Sequence, residues 1–444
     1  MKPCDLLINA KWVIPIEPDN TVLSHHSLAI TNGKIIDLLP TLAAAEKYQA
    51  STVTDLNNHA LLPGLINCHT HTSMSLLRGF ADDLPLMEWL QNHIWPVEAK
   101  WVSEEFVYDG TQLAILESIR SGVTCFNEMY FFPDQAAQAC VATGMRASIG
   151  LIIVDFPTVW ASNANEYIEK AQAVHDDLRQ HPLITTTFAP HAPYTVADES
   201  LKKIQIFAEE LDIPIHIHVH ETAHEVEESI KQYNKRPLAR LHDLGLLSPR
   251  LQAVHMTQLT DEEIELCRQT GVNIVHCPES NMKLASGCCE VEKLRHAKVN
   301  IALGTDGAAS NNDLDMMGEM RSAALLGKMI AKNAAAVPAH SVLQMATLNG
   351  AKALGLDHKI GSLVPGKMAD VIAIDLNEIE TQPVYNPIST IVYSANRHNV
   401  SDVWVEGRQL LKNKQLTTLD EAPVRTKAAE WAEKIASTIP KTKT

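Results

Sequence analysis

Residues 63–73 read PGLINCHTHTS, and His69 and His71 close an apolar run one residue apart. On an extended strand, positions i and i+2 face the same side, so both imidazoles can reach one ion. Zinc and similar borderline ions prefer imidazole nitrogen and carboxylate oxygen, and a catalytic site keeps one coordination position for water. The doublet alone decides nothing. With 20 His among 444 residues, about one His-x-His arises by chance. The chain holds three: His69/His71, His216/His218 and His218/His220. More telling is where other ionisable residues fall. His191 follows LITTTFAP, His218 and Glu221 sit in IPIHIHVHE, His255 ends LQAVH, and Asp306 follows VNIALGT. A single histidine at a strand end is more often structural. Six or seven such groups at one end of one fold are hard to read as accidents, because each unpaired burial is costly.

The elements that would position them alternate. Strand-like runs occur at LLPGLINCH, SGVTCFNEMY, RASIGLIIV, LITTTFAPH, IPIHIHVHE, LQAVHMT, GVNIVHCPES and VNIALGTDG. Helical segments such as EEFVYDGTQLAILESIRS, ESLKKIQIFAEELD and TDEEIELCRQT lie between them. Eight strands separated by helices predict an α/β architecture, a metal-dependent (β/α)8 TIM barrel over residues 59–361. In such barrels chemistry sits at the C-terminal strand ends, where the ionisable residues fall. A doubly wound open sheet would require a glycine-rich phosphate loop after the first strand, and PGLINCHTHTS is not one. Both ends of the chain look different. DLLINAKWVIPI, HHSLAITNGKIIDLLP with its Asn32-Gly33 turn, MADVIAIDL, STIVYSA and VSDVWVEGRQLLKN are all strand-like. They predict a small β-sandwich domain assembled from both termini, residues 1–58 and 362–444. The polar ending IPKTKT is the one stretch that suggests disorder.

Composition sets outer bounds. Hydrophobic content of 45% and charged content of 20% fit a globular protein. Lys+Arg 37 against Asp+Glu 53 gives a net charge of -16, which argues against phosphate-backbone binding and so against a nucleic-acid partner. No apolar stretch approaches a membrane span, and the N-terminus lacks a signal-peptide pattern. The eight cysteines show no C-x2-C pairing and read as reduced, buried thiols of a cytoplasmic protein. Cys68 would alternate away from the metal.

Within this frame His69, His71, His218 and Asp306 can form a His3Asp set. His216 and His220 share the parity of His218, and spacing does not choose among the three.

At these residues the chain resembles the amidohydrolase superfamily and, within it, the 5′-methylthioadenosine/S-adenosylhomocysteine deaminases. The resemblance covers nearly the whole chain. It rests on LLPGLINCHTHTSMSLLRG, WPVEAKW, IHIHVHET, AVHMT, VHCPESNMKLASG, LGTDGAASNN and GSLVPGKMADVIAID. It implies that His69, His71, His218 and Asp306 bind one divalent metal ion per subunit, zinc by default with iron or manganese as alternatives. The dinuclear branch of the superfamily has a carboxylated lysine at the fourth strand end, where this chain has His191. Glu221 matches the family's proton-shuttling glutamate and His255 the histidine that polarises the attacking water. Glu98 in WPVEAKW matches the carboxylate that takes the ribose hydroxyls, and His191 a further substrate contact. Glu221 and Asp306 would also meet the substrate. Trp89 and Trp95 would wall the pocket or pack the core.

The resemblance implies hydrolytic deamination of a 6-aminopurine nucleoside, 5′-methylthioadenosine to 5′-methylthioinosine plus ammonia. Members that accept S-adenosylhomocysteine carry an arginine shortly after the GMRA-type strand start, for the amino-acid carboxylate. Here Gly150 falls at that place and Arg146 belongs to the strand start, so S-adenosylhomocysteine is expected to be the poorer substrate. A homodimer is the family-level expectation. The alternative is another hydrolase on the same scaffold, an s-triazine hydrolase or a guanine or cytosine deaminase. The deaminases built on H-x-E and P-C-x-x-C are disfavoured, because P-C-x-x-C is absent.

Overall fold

The computed structural model describes residues 1–437, and the ending IPKTKT lies outside them. Eight parallel strands form the barrel: β1 (Leu65–Thr70), β2 (Val123–Glu128), β3 (Arg146–Ile153), β4 (Ile184–Pro190), β5 (Ile215–Val219), β6 (Leu251–His255), β7 (Asn273–His276) and β8 (Ile301–Leu303). Nearly every strand residue is buried. Helices cover a parallel sheet on its outer face and side chains fill its inside, hence the continuous Val/Ile/Leu runs. The strands pair in chain order, and the ring closes where the Asp306 N–H donates to the His69 carbonyl at 3.0 Å. Gly304 permits that seam. A Cβ there would lie 2.8 Å from the His69 backbone nitrogen.

Strands from both termini share one mixed eight-stranded sheet. The N-terminal strand Tyr48–Pro63 pairs antiparallel with the C-terminal strand Val371–Asp375, from Val371↔Pro63 to Asp375↔His59. Ile8, Leu28, Leu61, Val371 and Trp404 of this sheet enter one core. Asn32-Gly33 and Glu406-Gly407 make tight hairpin turns with positive φ at all four positions. The two turn tips touch, and a Cβ on Gly33 would lie 2.6 Å from the Glu406 carbonyl oxygen.

One strand expectation fails. STIVYSA forms most of the helix Pro387–Tyr393. The Asn386 side chain accepts from the Ile388 and Ser389 N–H groups and Pro387 takes the first helical position, a strong start signal. Ile388, Ile391 and Val392 then share the buried face at helical spacing.

Buried side-chain contacts help fasten the ends of the chain to the barrel. Arg146, at the N-terminal end of β3, pairs with Asp370 (Nε–Oδ2 2.7 Å) and Glu406 (Nη2–Oε1 2.9 Å). From the C-terminal helix Glu421–Ala436, Trp431 donates through Nε1 to Asp109 Oδ2 at 2.9 Å. Among the described residues no helix is long and apolar enough to cross a membrane.

Candidate metal-dependent active site

The C-terminal strand ends bring His69, His71, His218 and Asp306 together, with one ligand atom from each within 4.8 Å of all the others. Asp306 Oδ1 lies 3.3 Å from His69 Nε2 and 3.2 Å from His71 Nε2. His218 Nε2 lies 3.1 Å from His69 Nε2. The far side of each ring explains this orientation. His71 Nδ1 meets the Met129 carbonyl at 2.5 Å and His218 Nδ1 meets the His191 carbonyl at 2.7 Å. A carbonyl only accepts, so both Nδ1 atoms carry the proton and both Nε2 lone pairs point at the cluster. Burial also holds His218 well below the usual histidine range, in the neutral form a metal requires. Converging lone pairs and a carboxylate repel one another unless a cation lies between them. The donor set therefore fits a borderline divalent ion.

Asp306 is held as a carboxylate. Burial works against its charge, but its close contacts with His69 and His71 keep it well below the usual range. Ser280 and Ser310 donate to Oδ2 at 2.7 and 2.9 Å, and the Gly307 N–H donates to Oδ1 at 2.8 Å. His220, His255 and Asp306 all have positive φ (55°, 77° and 64°). Non-glycine residues adopt that region rarely, and clustering at one rim marks a site that overrides local preference.

The three parity-equivalent histidines of the fifth strand separate in space. His216 lies behind His69, with Nε2 2.9 Å from His69 Nδ1. His220 follows the strand end, and its Nε2 accepts from the Leu238 N–H at 3.0 Å. His218 alone reaches the cluster.

Glu221 and His255 flank the cluster, with His255 Nε2 and Glu221 Oε2 3.8 Å apart. Burial first, then the charges of Asp306 and Glu225, raises Glu221 well above the usual carboxyl range. Glu225 braces the turn beneath it, accepting from the His220 and Glu221 N–H groups at 3.0 and 2.7 Å. Glu221, His255, His71, His218 and Asp306 open onto a cavity of about 630 Å³.

The cavity walls are mostly apolar and include both Trp89 and Trp95. Glu98, on the helix Trp95–Trp101, also faces it. Burial pushes its carboxyl up to about 7, against a 2.6 Å hydrogen bond from the Tyr130 hydroxyl. His191 lines the cavity too, with Nδ1 3.0 Å from Thr195 Oγ1, and burial pushes it down to about 3.

Gly150 does not stand where a substrate carboxylate could be met. A Cβ there would lie 2.1 Å from the Glu128 carbonyl oxygen, so no arginine fits. The β3 positions that reach the cavity are Ile152 and, just beyond the strand, Val154. Arg146 is at the opposite end of the strand, committed to Asp370. Among the described residues no Lys or Arg lines the cavity.

The sequence reading missed Ser280, Ser310, Tyr130 and Glu225. Thr222-x-x-Glu225 is a helix-start signature, and Thr222 does cap the helix Ala223–Tyr233. The Glu225 side chain is diverted to the turn carrying Glu221. All eight cysteines are free, and Cys288 is exposed rather than buried.

Comparison with known proteins gives a consistent picture. The model of the amidohydrolase family matches residues 60–410. A 5-methylthioadenosine/S-adenosylhomocysteine deaminase of Teredinibacter turnerae is 51% identical over 433 residues, 98% of each chain. A 5′-deoxyadenosine deaminase of Methanosarcina mazei is 41% identical over 98% of this chain and 99% of its own. The structure of an adenosine deaminase from Xanthomonas campestris with bound zinc superposes with a TM-score of 0.97 at 52% identity, covering 98% of this chain and 99% of that one.

Proposed function

The chain belongs to the amidohydrolase family, and on that premise we propose that it hydrolytically deaminates a 6-aminopurine nucleoside. The preferred substrate is 5′-methylthioadenosine, giving 5′-methylthioinosine and ammonia. One observation carries this reading: a single cavity is lined by His71, His218 and Asp306 of the His3Asp cluster, by Glu221 and by the Glu98 carboxylate. A free base or an s-triazine has no ribose hydroxyls to offer Glu98.

His69, His71, His218 and Asp306 hold one divalent ion per chain, zinc by default. When bound, such an ion lowers the pKa of water toward neutrality and so supplies the nucleophile. Glu98 accepts the ribose hydroxyls and His191 contacts the nucleoside, which fixes the purine over the cluster. Glu221 enters protonated and donates to purine N1, drawing electrons from C6. Asp306 and His255 hold the attacking water and between them take up its proton. The oxygen bonds to C6, that proton passes to the exocyclic nitrogen, the C6–N bond breaks and ammonia leaves. The hydroxyl proton still on C6–OH returns to Glu221 as the carbonyl forms.

The 5′ end of the substrate meets Ile152, Val154 and Phe156, an apolar wall suited to a methylthioether. The amino-acid carboxylate of S-adenosylhomocysteine would enter this wall without a cationic partner, so that substrate is poorer. The thiols fit a reducing cytoplasm.

The test is ammonia release from 5′-methylthioadenosine, S-adenosylhomocysteine, adenosine, guanine and melamine-type triazines, with zinc analysis of the same sample. No release from any adenosine derivative overturns the substrate. The Glu221→Gln variant should keep its zinc and lose about 10²–10⁴-fold in kcat. Unchanged turnover in that variant removes Glu221 from the chemistry.

A further inference from the structure

The segment VHCPESNMKLASG supplies none of the four converging ligand atoms. Its helical turn Pro278–Lys283 instead touches both residues that handle the water. Ser280 Oγ donates to Asp306 Oδ2 at 2.7 Å. The next residue, Asn281, places its side-chain nitrogen Nδ2 2.9 Å from His255 Nδ1. Both partners of this second contact are 1% exposed, so no solvent competes for it.

An amide nitrogen can only donate. His255 Nδ1 must therefore accept, which leaves no room for a proton there. That orientation of the amide, whose Oδ1 has no protein partner among the described residues, matches a neutral ring with its single proton on Nε2. On the other side of the ring, His255 Nε2 faces Glu221 Oε2 across 3.8 Å.

Resting on the deaminase reading above, we propose that Asn281 is a positioning residue that locks His255 in the Nε2–H tautomer. His255 is then a hydrogen-bond donor to the oxygen that adds at C6, and it is not the base that accepts that oxygen's proton. The proton balance narrows accordingly. As the C6–O bond forms, the water's proton goes to Asp306, whose Oδ2 is steadied by Ser280 and Ser310. Asp306 returns it to the exocyclic nitrogen as the C6–N bond breaks, and the proton still on the oxygen restores Glu221 as the C6 carbonyl forms. The His255 Nε2–H stays in place throughout and stabilises negative charge as it grows on oxygen. One helical turn thus sets the division of labour between the two residues: Ser280 steadies the base and Asn281 fixes the donor.

The tautomer can be read without reference to turnover. In zinc-loaded protein with ¹⁵N-labelled histidine, the His255 signals are identified by their loss in His255→Gln. The expected spectrum has a protonated Nε2 and a bare Nδ1. A protonated Nδ1 in the wild type overturns the proposal. The near-isosteric Asn281→Asp places an oxygen, which can only accept, at the same point. It should move the His255 proton to Nδ1 and lower kcat by about 10- to 100-fold, with KM and zinc content unchanged. Wild-type kcat in that variant also overturns the proposal. Should Asn281→Asp fail to fold, the wild-type spectrum still decides. Wild-type protein that releases no ammonia from adenosine derivatives overturns the deaminase reading instead, and the same sample still reports the tautomer.

Discussion

His216 Nε2 lies 2.9 Å from His69 Nδ1, directly behind a ligand with 0% exposure. For His69 to offer its Nε2 lone pair to a metal, its proton must sit on Nδ1 and be donated to His216. His216 must then carry its own proton on Nδ1, a buried atom with no protein hydrogen-bond partner among the described residues. His71 and His218 lean on carbonyls for the same purpose. His69 leans on another imidazole instead.

This relationship separates the two histidines experimentally. His218→Ala should strip the zinc and abolish activity, because it deletes a ligand. His216→Ala should keep a zinc site but weaken it by about 10- to 100-fold, with much of the turnover restored by excess zinc. Competition against a chromophoric chelator measures both affinities. A His216 variant that cannot be loaded, beside a His218 variant that can, would exchange their roles.

A second prediction concerns pH. Burial pushes the Glu98 carboxyl from the ordinary range up to about 7. Only its ionised form accepts hydrogen bonds from two hydroxyls through both oxygens. As pH falls through about 7, the free enzyme therefore loses ribose binding and kcat/KM declines. The Tyr130 hydroxyl, 2.6 Å away, favours the ionised form. Tyr130→Phe removes that help, so the acid limb of the kcat/KM profile should move to higher pH. Glu98→Gln cannot ionise and should flatten this limb at a lower overall value. An acid limb identical in all three proteins would detach Glu98 from substrate binding.

Stability rests on a pair far from the cavity. Arg146 and Asp370 are 2% and 3% exposed, and their Nε–Oδ2 contact is 2.7 Å. Arg146→Met leaves Asp370 buried without its partner and should cost about 3–5 kcal/mol, read as a lower denaturation midpoint. Replacing both, Arg146→Met with Asp370→Leu, should recover most of that loss, because the desolvation penalty of the carboxylate goes too. Turnover per zinc-loaded molecule should not change in either protein. A loss of kcat would mean that the tie between β3 and the terminal sheet reaches the site.

Much of this architecture was legible because the chemistry sits where barrel strands end. His69 and His71 could be read from their i, i+2 spacing and the apolar run before them. His218 could not be separated from His216 and His220 by spacing, because alternation treats all three alike. What separates them is depth: the strand ends at Val219, His220 turns away at φ 55°, and His216 sits behind His69. STIVYSA has the β-branched content of a strand, yet the Asn386 cap and Pro387 just before it start a helix. Ser280 and Asn281 stood in plain view in SNMKL, yet a short polar residue signals nothing until its partner is known. Their partners, Asp306 and His255, are each 26 residues away in sequence.

Gly150 brings the fourth prediction. Reading along the strand suggested that an arginine was missing there, but the Glu128 carbonyl 2.1 Å from a Cβ at that point excludes any side chain. The residue two positions on, Ile152, shares its parity along β3 and reaches the cavity. Ile152 is where a cation could enter, and there it would replace part of an apolar wall. Ile152→Arg should therefore lower kcat/KM for 5′-methylthioadenosine, because the guanidinium faces a thioether that cannot pair with it. For S-adenosylhomocysteine the same guanidinium can meet the amino-acid carboxylate in two parallel hydrogen bonds. Hydrogen bonds to charged groups are worth roughly 1.5–3 kcal/mol, so the ratio of the two kcat/KM values should move toward S-adenosylhomocysteine by about 10-fold or more. The ratio, not either value alone, is the readout, since any general loss of stability lowers both. An unchanged ratio in a folded, zinc-loaded variant would mean that the 5′ end of the substrate lies elsewhere, and the apolar wall would no longer explain the preference.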